Sequence, residues 1–170
     1  QELLYTIEYG DDQSLAEIKQ ELIDSGYLKT KQKIRRRENQ VPQPLTFTAS
    51  SGRTILVGTN NRQNDYLTFK IAVRRDCWLH VRNLPGSHVV LKGASFPPPE
   101  EDIEEAAFLA GYYSRGRNNA AVDIDYTEVR HVRRRPGSMP GAVFYTNYQT
   151  ITVNPRDGVL LKHFDLSEPL

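Results

Sequence analysis

The stretch WLHVRNLPGSHVV, residues 78–90, decides how the chain folds. Val81, Val89 and Val90 suit strands, and Leu84-Pro85-Gly86 marks a turn between them. The reading is a pair of strands at about 77–82 and 88–92, bounded and joined by turn chemistry. The two-residue period of a strand places Trp78, His80 and Arg82 on one face, and sets Cys77 and His80 on opposite faces. A hairpin that only builds a core rarely holds so many groups able to stack or hydrogen-bond. Trp78, His80, Ser87 and His88 therefore become candidates for function.

Working outward, residues 45–58 alternate around Ser50-Ser51-Gly52 and predict a further hairpin. In NNRQNDYLTFKIAV, residues 60–73, Asn64 or Asp65 is the expected cap of a short helix carrying Leu67 and Ile71. PPPEEDIEEAAFLAGYYSRGRN, residues 97–118, predicts the main helix. Prolines precede it, its first turn is acidic, and Arg115 and Arg117 sit at its end, all in keeping with a helix dipole. Strands follow at roughly 120–126, 128–134, 142–147 and 149–153, with Pro136-Gly137 and Pro140-Gly141 marking a loop. The expected fold class is α+β: a mostly antiparallel sheet, covered on one side by one main helix.

Before this unit, Leu15, Ile18 and Leu22 give a helical period over residues 11–24, and Gly26 suits a left-handed stop. KTKQKIRRRENQVPQP, residues 29–44, is polar, basic and ends in two prolines, which predicts a linker. The expected division is 1–44 as helical segment and basic linker, and 45–170 as the compact domain. The opening Gln1-Glu2-Leu3-Leu4 suggests a piece of a longer chain.

Hydrophobic residues make up 38% and charged ones 25% of the 170 residues, enough apolar material for one domain with a real core. Cys77 is the single cysteine, so no internal disulfide exists, and a reducing, cytoplasmic setting is expected. No apolar run approaches the ~20 residues that span a bilayer, so no membrane partner is expected. The net charge is +1, but charge is segregated. Lys29 to Arg37 is basic, as are Arg115 with Arg117 and Arg130 to Arg135, while acids gather at Glu100 to Glu105. Such segregation gives a basic face on a nearly neutral molecule.

Three chemistries can be weighed. Metal binding needs three or four converging ligands, whereas His80 and His88 lack a clear third. Nucleophilic catalysis has Ser87 beside His88, yet neighbours on a strand point apart and no nucleophile elbow accompanies them. Neither a catalytic residue, a metal ligand set nor a cofactor is assigned. Polyanion binding asks for less: arginines neutralise phosphates and rings stack on unpaired bases. Arg130, Val132 and Arg134 would share one strand face, and His131, Arg133 and Arg135 the other. Asn61 and Arg62 precede the expected helix start, where free backbone N–H groups can meet a phosphate. A buried Trp78 and satisfied histidines remain the structural alternative.

Four ordered segments strongly resemble the NFACT-R domain, the RNA-binding module of the NFACT proteins. They are residues 56–91, 97–118, 122–141 and 143–155, and residues 3–29 resemble the stretch joining that family's coiled coil to the module. The resemblance implies a bacterial RqcH-type protein of ribosome-associated quality control, whose partners would be the large ribosomal subunit, rRNA and tRNA. Some members carry the older label of fibronectin-binding adhesin (FbpA or PavA type), which leaves fibronectin and a cell-surface form as a second reading. Residues matching the family pattern include Asn61, Arg62, Trp78, His80, Ser87, His88, Arg117 and His131. Asn64, Asp65, Pro85, Gly86, Pro140 and Gly141 are expected to shape loops. With Arg82, Arg115, Arg130 and Arg133, the former set forms the candidate nucleic-acid contacts. Thr59 and Met139 depart from the pattern at positions where a basic residue is usual.

Overall fold

The computed structural model describes residues 12–26 and 43–170. Of the expected basic linker, residues 29–44, all but Gln43 and Pro44 lie outside the described residues. Helix α1 spans Asp12–Asp24, and Gly26 beyond it has φ of 77°, the left-handed conformation expected there. Strands β1 (Leu45–Thr48) and β2 (Thr54–Val57) form the predicted hairpin around Gly52.

Helix α2 runs over Asn61–Tyr66 and continues as one wide π-turn, Leu67–Ile71. It starts earlier than its sequence suggested, because Asn60, extended at φ −153°, takes the cap. Asn60 Oδ1 accepts the N–H of Gln63 at 2.9 Å, while Gln63 Oε1 accepts the N–H of Thr59 at 2.9 Å. This reciprocal arrangement satisfies two otherwise unpaired donors. Asn64 and Asp65 are consequently inside the helix and do not cap it.

Strands β3 (Cys77–Val81) and β4 (Val89–Leu91) are the decisive hairpin, with Trp78 opposite Val90 and Leu79 opposite Val89. Helix α3 covers Glu100–Tyr112. Its acidic first turn faces the positive end of the helix dipole. Asp102 and Glu105 are buried there. Asp102 accepts from Arg53 at 2.8 Å and Ser51 at 2.6 Å, and Glu105 accepts the Ser50 N–H at 2.8 Å, which staples α3 to the β1–β2 turn. Arg115 and Arg117 fall beyond the helix end, so they do not complete its last turn.

Among the described residues, six strands build one antiparallel sheet in the order β1-β2-β4-β3-β5-β8, where β5 is Val122–Glu128 and β8 is Gln149–Val153. The expected strand over 128–134 is broken. Val129–His131 forms a 3-10 turn, and only Val132–Arg134 (β6) resumes as strand, pairing with β7 (Val143–Tyr145) in a separate two-stranded ribbon. The break turns the chain off the sheet, with the Val129 N–H bonded to Asp76 O at 2.9 Å and the Arg130 N–H to Arg74 O at 3.0 Å. Helix α4 (Gly158–His163) follows β8.

The α+β class is as read from sequence, but the sheet is covered on both faces. Cys77, Leu79 and Val81 point into the larger core beneath α3, with Phe108, Leu109 and Ile124. Trp78 and Val90 point the other way, into a second cluster with Leu67, Val129 and Val132 that Tyr145 and Phe69 border. That second cover, made by the α2 π-turn and the β6–β7 ribbon, explains why β3 is buried almost throughout rather than alternately.

Candidate nucleic-acid interface

Beneath the ribbon, the candidate rings assemble into one packed group. Trp78 and His80 stack with centroids 5.8 Å apart and planes 5° apart, as residues two apart on a strand can. His88 stands edge-on to Trp78 at 5.2 Å and to His80 at 5.6 Å. Tyr145 covers Trp78 at 4.9 Å. Trp78 is 0% exposed and His88 2%. Neither can stack on a base in this arrangement, and the same holds for the buried Ser87 and Asn61 as direct contacts. They shape the scaffold that carries the surface.

Burial also sets the charge of the two histidines. Desolvation, reinforced by His80, pushes the His88 pKa down to about 3, with bonds to backbone of Gly141 and Asn64 opposing. Desolvation lowers that of half-buried His80 as well, against opposing backbone bonds to Val81 and Gly86 and the charge of Asp125. Both imidazoles are therefore neutral at pH 7. His88 Nδ1 pairs with the Thr68 hydroxyl at 2.8 Å, which ties β4 to the π-turn. Among the described residues, no three His, Cys, Asp or Glu side chains come together as metal ligands.

Loops are fixed by close approaches. Gly86 pairs with Ser114 in an isolated bridge, and a Cβ at Gly86 would lie 2.8 Å from Val81 Cγ1. Pro85 O accepts the Arg115 N–H at 3.0 Å. Gly141, at φ +85°, lies so near α2 that its Cβ would be 3.1 Å from Asn61 O, seating the 136–141 loop on that helix. Pro140 and Met139 of this loop, with Asp65, Arg134 and Arg135, line a shallow surface cleft. Thr59, the other departure from the family pattern, is engaged with Gln63.

The N–H groups at the start of α2 are not open to phosphate, contrary to the sequence expectation. Glu21 Oε1 of α1 accepts the Arg62 N–H at 2.6 Å, and Glu17 Oε2 accepts from Asn60 at 2.6 Å and Gln63 at 3.1 Å. Carboxylates of α1 occupy the positive end of the helix. Arg62 itself is half-buried.

Exposed cations gather on the β6–β7 ribbon and the turn that leads into it. Arg130 pairs with Glu128 at 2.9 Å, and Arg134 forks onto Asp65 at 2.9 and 3.1 Å with its guanidinium 4.2 Å from the Phe69 ring centroid. Arg133 and Arg135 have no acidic partner among the described residues; Arg135 lies 4.6 Å over the ring of Phe144. The predicted strand alternation fails at Arg130 and His131, since both belong to the 3-10 turn. Half-buried His131 approaches the Asn147 amide at 3.3 Å and its carbonyl accepts the Thr146 N–H at 3.2 Å, which ties the two strands together at the open end of the ribbon. Arg82, exposed past the end of β3, reaches over Tyr148 at 5.9 Å, and Tyr148 stands edge-on to Tyr145 at 5.3 Å.

Arg115 and Arg117 do not join this surface. They follow α3, and the Arg117 guanidinium lies 4.9 Å from the ring of Tyr112, on the α3 side of the sheet. A single groove gathering every candidate is thus absent among the described residues. Two contributors escaped the sequence reading: Phe144, over whose ring Arg135 lies, and Tyr148. Their signal was the alternation in VFYTNY, residues 143–148, which turns Phe144 away from the buried Tyr145 side.

Comparison with known proteins places this geometry. Residues 43–147 match the family described as the NFACT protein RNA binding domain. The chain is 39% identical over 163 residues to the Rqc2 homolog RqcH of Bacillus subtilis, covering 95% of this chain and 28% of that protein. It is 41% identical over 146 residues to the Rqc2 homolog RqcH of Streptococcus pneumoniae, covering 84% of this chain and 26% of that protein. The chain therefore spans about a quarter of the length of these curated relatives. A solved structure, the C-terminal part of the fibronectin/fibrinogen-binding protein from Streptococcus suis, superposes with a TM-score of 0.85 at 34% identity, covering 96% of this chain and 65% of that one. Since the family pattern runs through the sheet, α3 and the arginine ribbon alike, the chain belongs to the NFACT RNA-binding domain family.

Proposed function

We propose that this chain is the RNA-binding module of an RqcH-type protein, acting in ribosome quality control by docking on the large ribosomal subunit through rRNA or tRNA. In this reading residues 45–170 are the binding unit and 1–44 join it to the rest of the protein. Its site is cytoplasmic. The module is not itself an enzyme: it contributes affinity and orientation. The supporting observation is the β6–β7 ribbon, where Arg133 and Arg135 carry charge unneutralised by any described acid, beside Arg130, Arg134 and Arg82. The whole chain is near neutral, at +1, so this local concentration of guanidinium is what a phosphate backbone would meet. Arg115 and Arg117 could touch RNA only by a second surface, around the end of α3.

Cosedimentation of the chain with large ribosomal subunits over a salt series tests the proposal. Binding should fall steeply and linearly on a log–log plot, because phosphate contacts release counterions. A flat salt profile would overturn it. The similar Streptococcus suis protein is described as binding fibronectin and fibrinogen. Immobilised fibronectin is therefore the comparison arm, and capture by fibronectin without capture by subunits at the same salt favours an adhesin instead.

A further inference from the structure

We infer that the exposed side of the β6–β7 ribbon, together with the turn that follows β7, takes unpaired RNA nucleotides, with bases stacked on Phe144 and Tyr148 and phosphates held by Arg133 and Arg135. The inference rests on the RNA-binding reading above and narrows it to single-stranded RNA. Phosphate clamping requires only cations, and duplex RNA is gripped by cations along its backbone, its bases being stacked away. This surface offers more than cations. Phe144 is 53% exposed on the ribbon face turned from the sheet, because Val143 and Tyr145 flank it on the inward side. Arg135 lies 4.6 Å over that ring, and a guanidinium plane can continue a stack of ring and base.

Tyr148, 43% exposed, supplies a second ring. It is backed by Tyr145, whose hydroxyl donates to buried Asp125 at 2.6 Å and whose ring packs on Trp78 at 4.9 Å. Asp125 is held from its other oxygen by Thr150 at 2.7 Å. The platform is thus fixed before any ligand arrives, which lowers the entropy cost of binding. The two rings are four positions apart in sequence, so their Cα atoms lie no more than about 14 Å apart. One short oligonucleotide can reach both.

Filter binding at constant salt, with a single-stranded RNA of about ten nucleotides and a duplex of the same sequence, tests this. The single strand should bind more tightly than the duplex. Phe144→Ala and Tyr148→Ala should each weaken the single strand about 5- to 100-fold while leaving duplex binding unchanged. Phe144→Trp should retain the affinity. Both rings are solvent-facing, and a thermal melt of each variant confirms the fold. Equal single-strand and duplex binding with both variants unaffected overturns the inference yet leaves the RNA-binding reading standing, whereas no RNA binding at all overturns both. Competition by poly-glutamate as effective as by the single strand also overturns it, since an acidic peptide would then satisfy the site.

Discussion

Asn64 Oδ1 accepts the backbone N–H of His88 at 3.0 Å, so a side chain of α2 fixes the start of β4. The same oxygen faces Gly58, where an added Cβ would sit 2.2 Å away, with the Asn64 backbone nitrogen at 3.0 Å behind it. Removing the amide leaves a buried donor unpaired, which costs about 1–3 kcal/mol. Asn64→Ala should therefore lower the urea midpoint accordingly, and Gly58→Ala should do the same by overpacking. Unchanged midpoints for both would show that this junction does not hold the sheet.

Acidification should destabilise the fold. The folded His88 pKa is depressed to about 3, while an unfolded histidine titrates near 6.5. Between these values the unfolded chain binds a proton that the folded one does not, so the stabilisation present above pH 6.5 is lost progressively as pH falls towards 3. His80 contributes with the same sign. For His88 the limiting slope is about 1.4 kcal/mol per pH unit. Urea melts at pH 7 and pH 5 measure it, and His88→Gln should flatten the dependence.

Arginine substitutions should separate according to their partners. Arg133→Ala should weaken RNA binding across sequences and reduce the log–log salt slope by about 1. Arg130→Ala should do less, since Glu128 already neutralises part of its charge at 2.9 Å. A larger loss from Arg115→Ala than from Arg133→Ala would move the interface to the α3 side.

The clasp between α1 and α2 has its own signature. Glu21 is buried and accepts the Arg62 N–H, a charge-assisted bond of about 1.5–3 kcal/mol. In Glu21→Ala, hydrogen exchange at the Arg62 amide should accelerate by about ten-fold or more. No change there would mean that α1 is not docked through this contact.

Much of this architecture could be read in the chain because local signals agreed. Pro85-Gly86, the acidic start of α3 and the valines on either side of the turn all pointed to elements that form. The failures share a cause, which is that burial on a second face is a long-range property. Trp78 and His88 look like ligand-binding groups until the ribbon, 54 residues beyond Trp78 at its first strand residue Val132, folds over them. Likewise, the Arg62 amide looked free because Glu21, which accepts its N–H, lies about 40 residues away in the chain. Capping by Asn60 rather than Asn64 was a nearer miss, since three asparagines within five residues offer equivalent oxygens.

The chain contains one tryptophan, and it lies at the seam between sheet and ribbon. Its indole N–H has no hydrogen-bond partner among the described residues, and Tyr145 of the ribbon rests on its ring. Ultraviolet emission from Trp78 is consequently a native optical gauge of whether the ribbon is seated. Lifting β7 would admit water to the indole and shift the spectrum to the red, with no label attached.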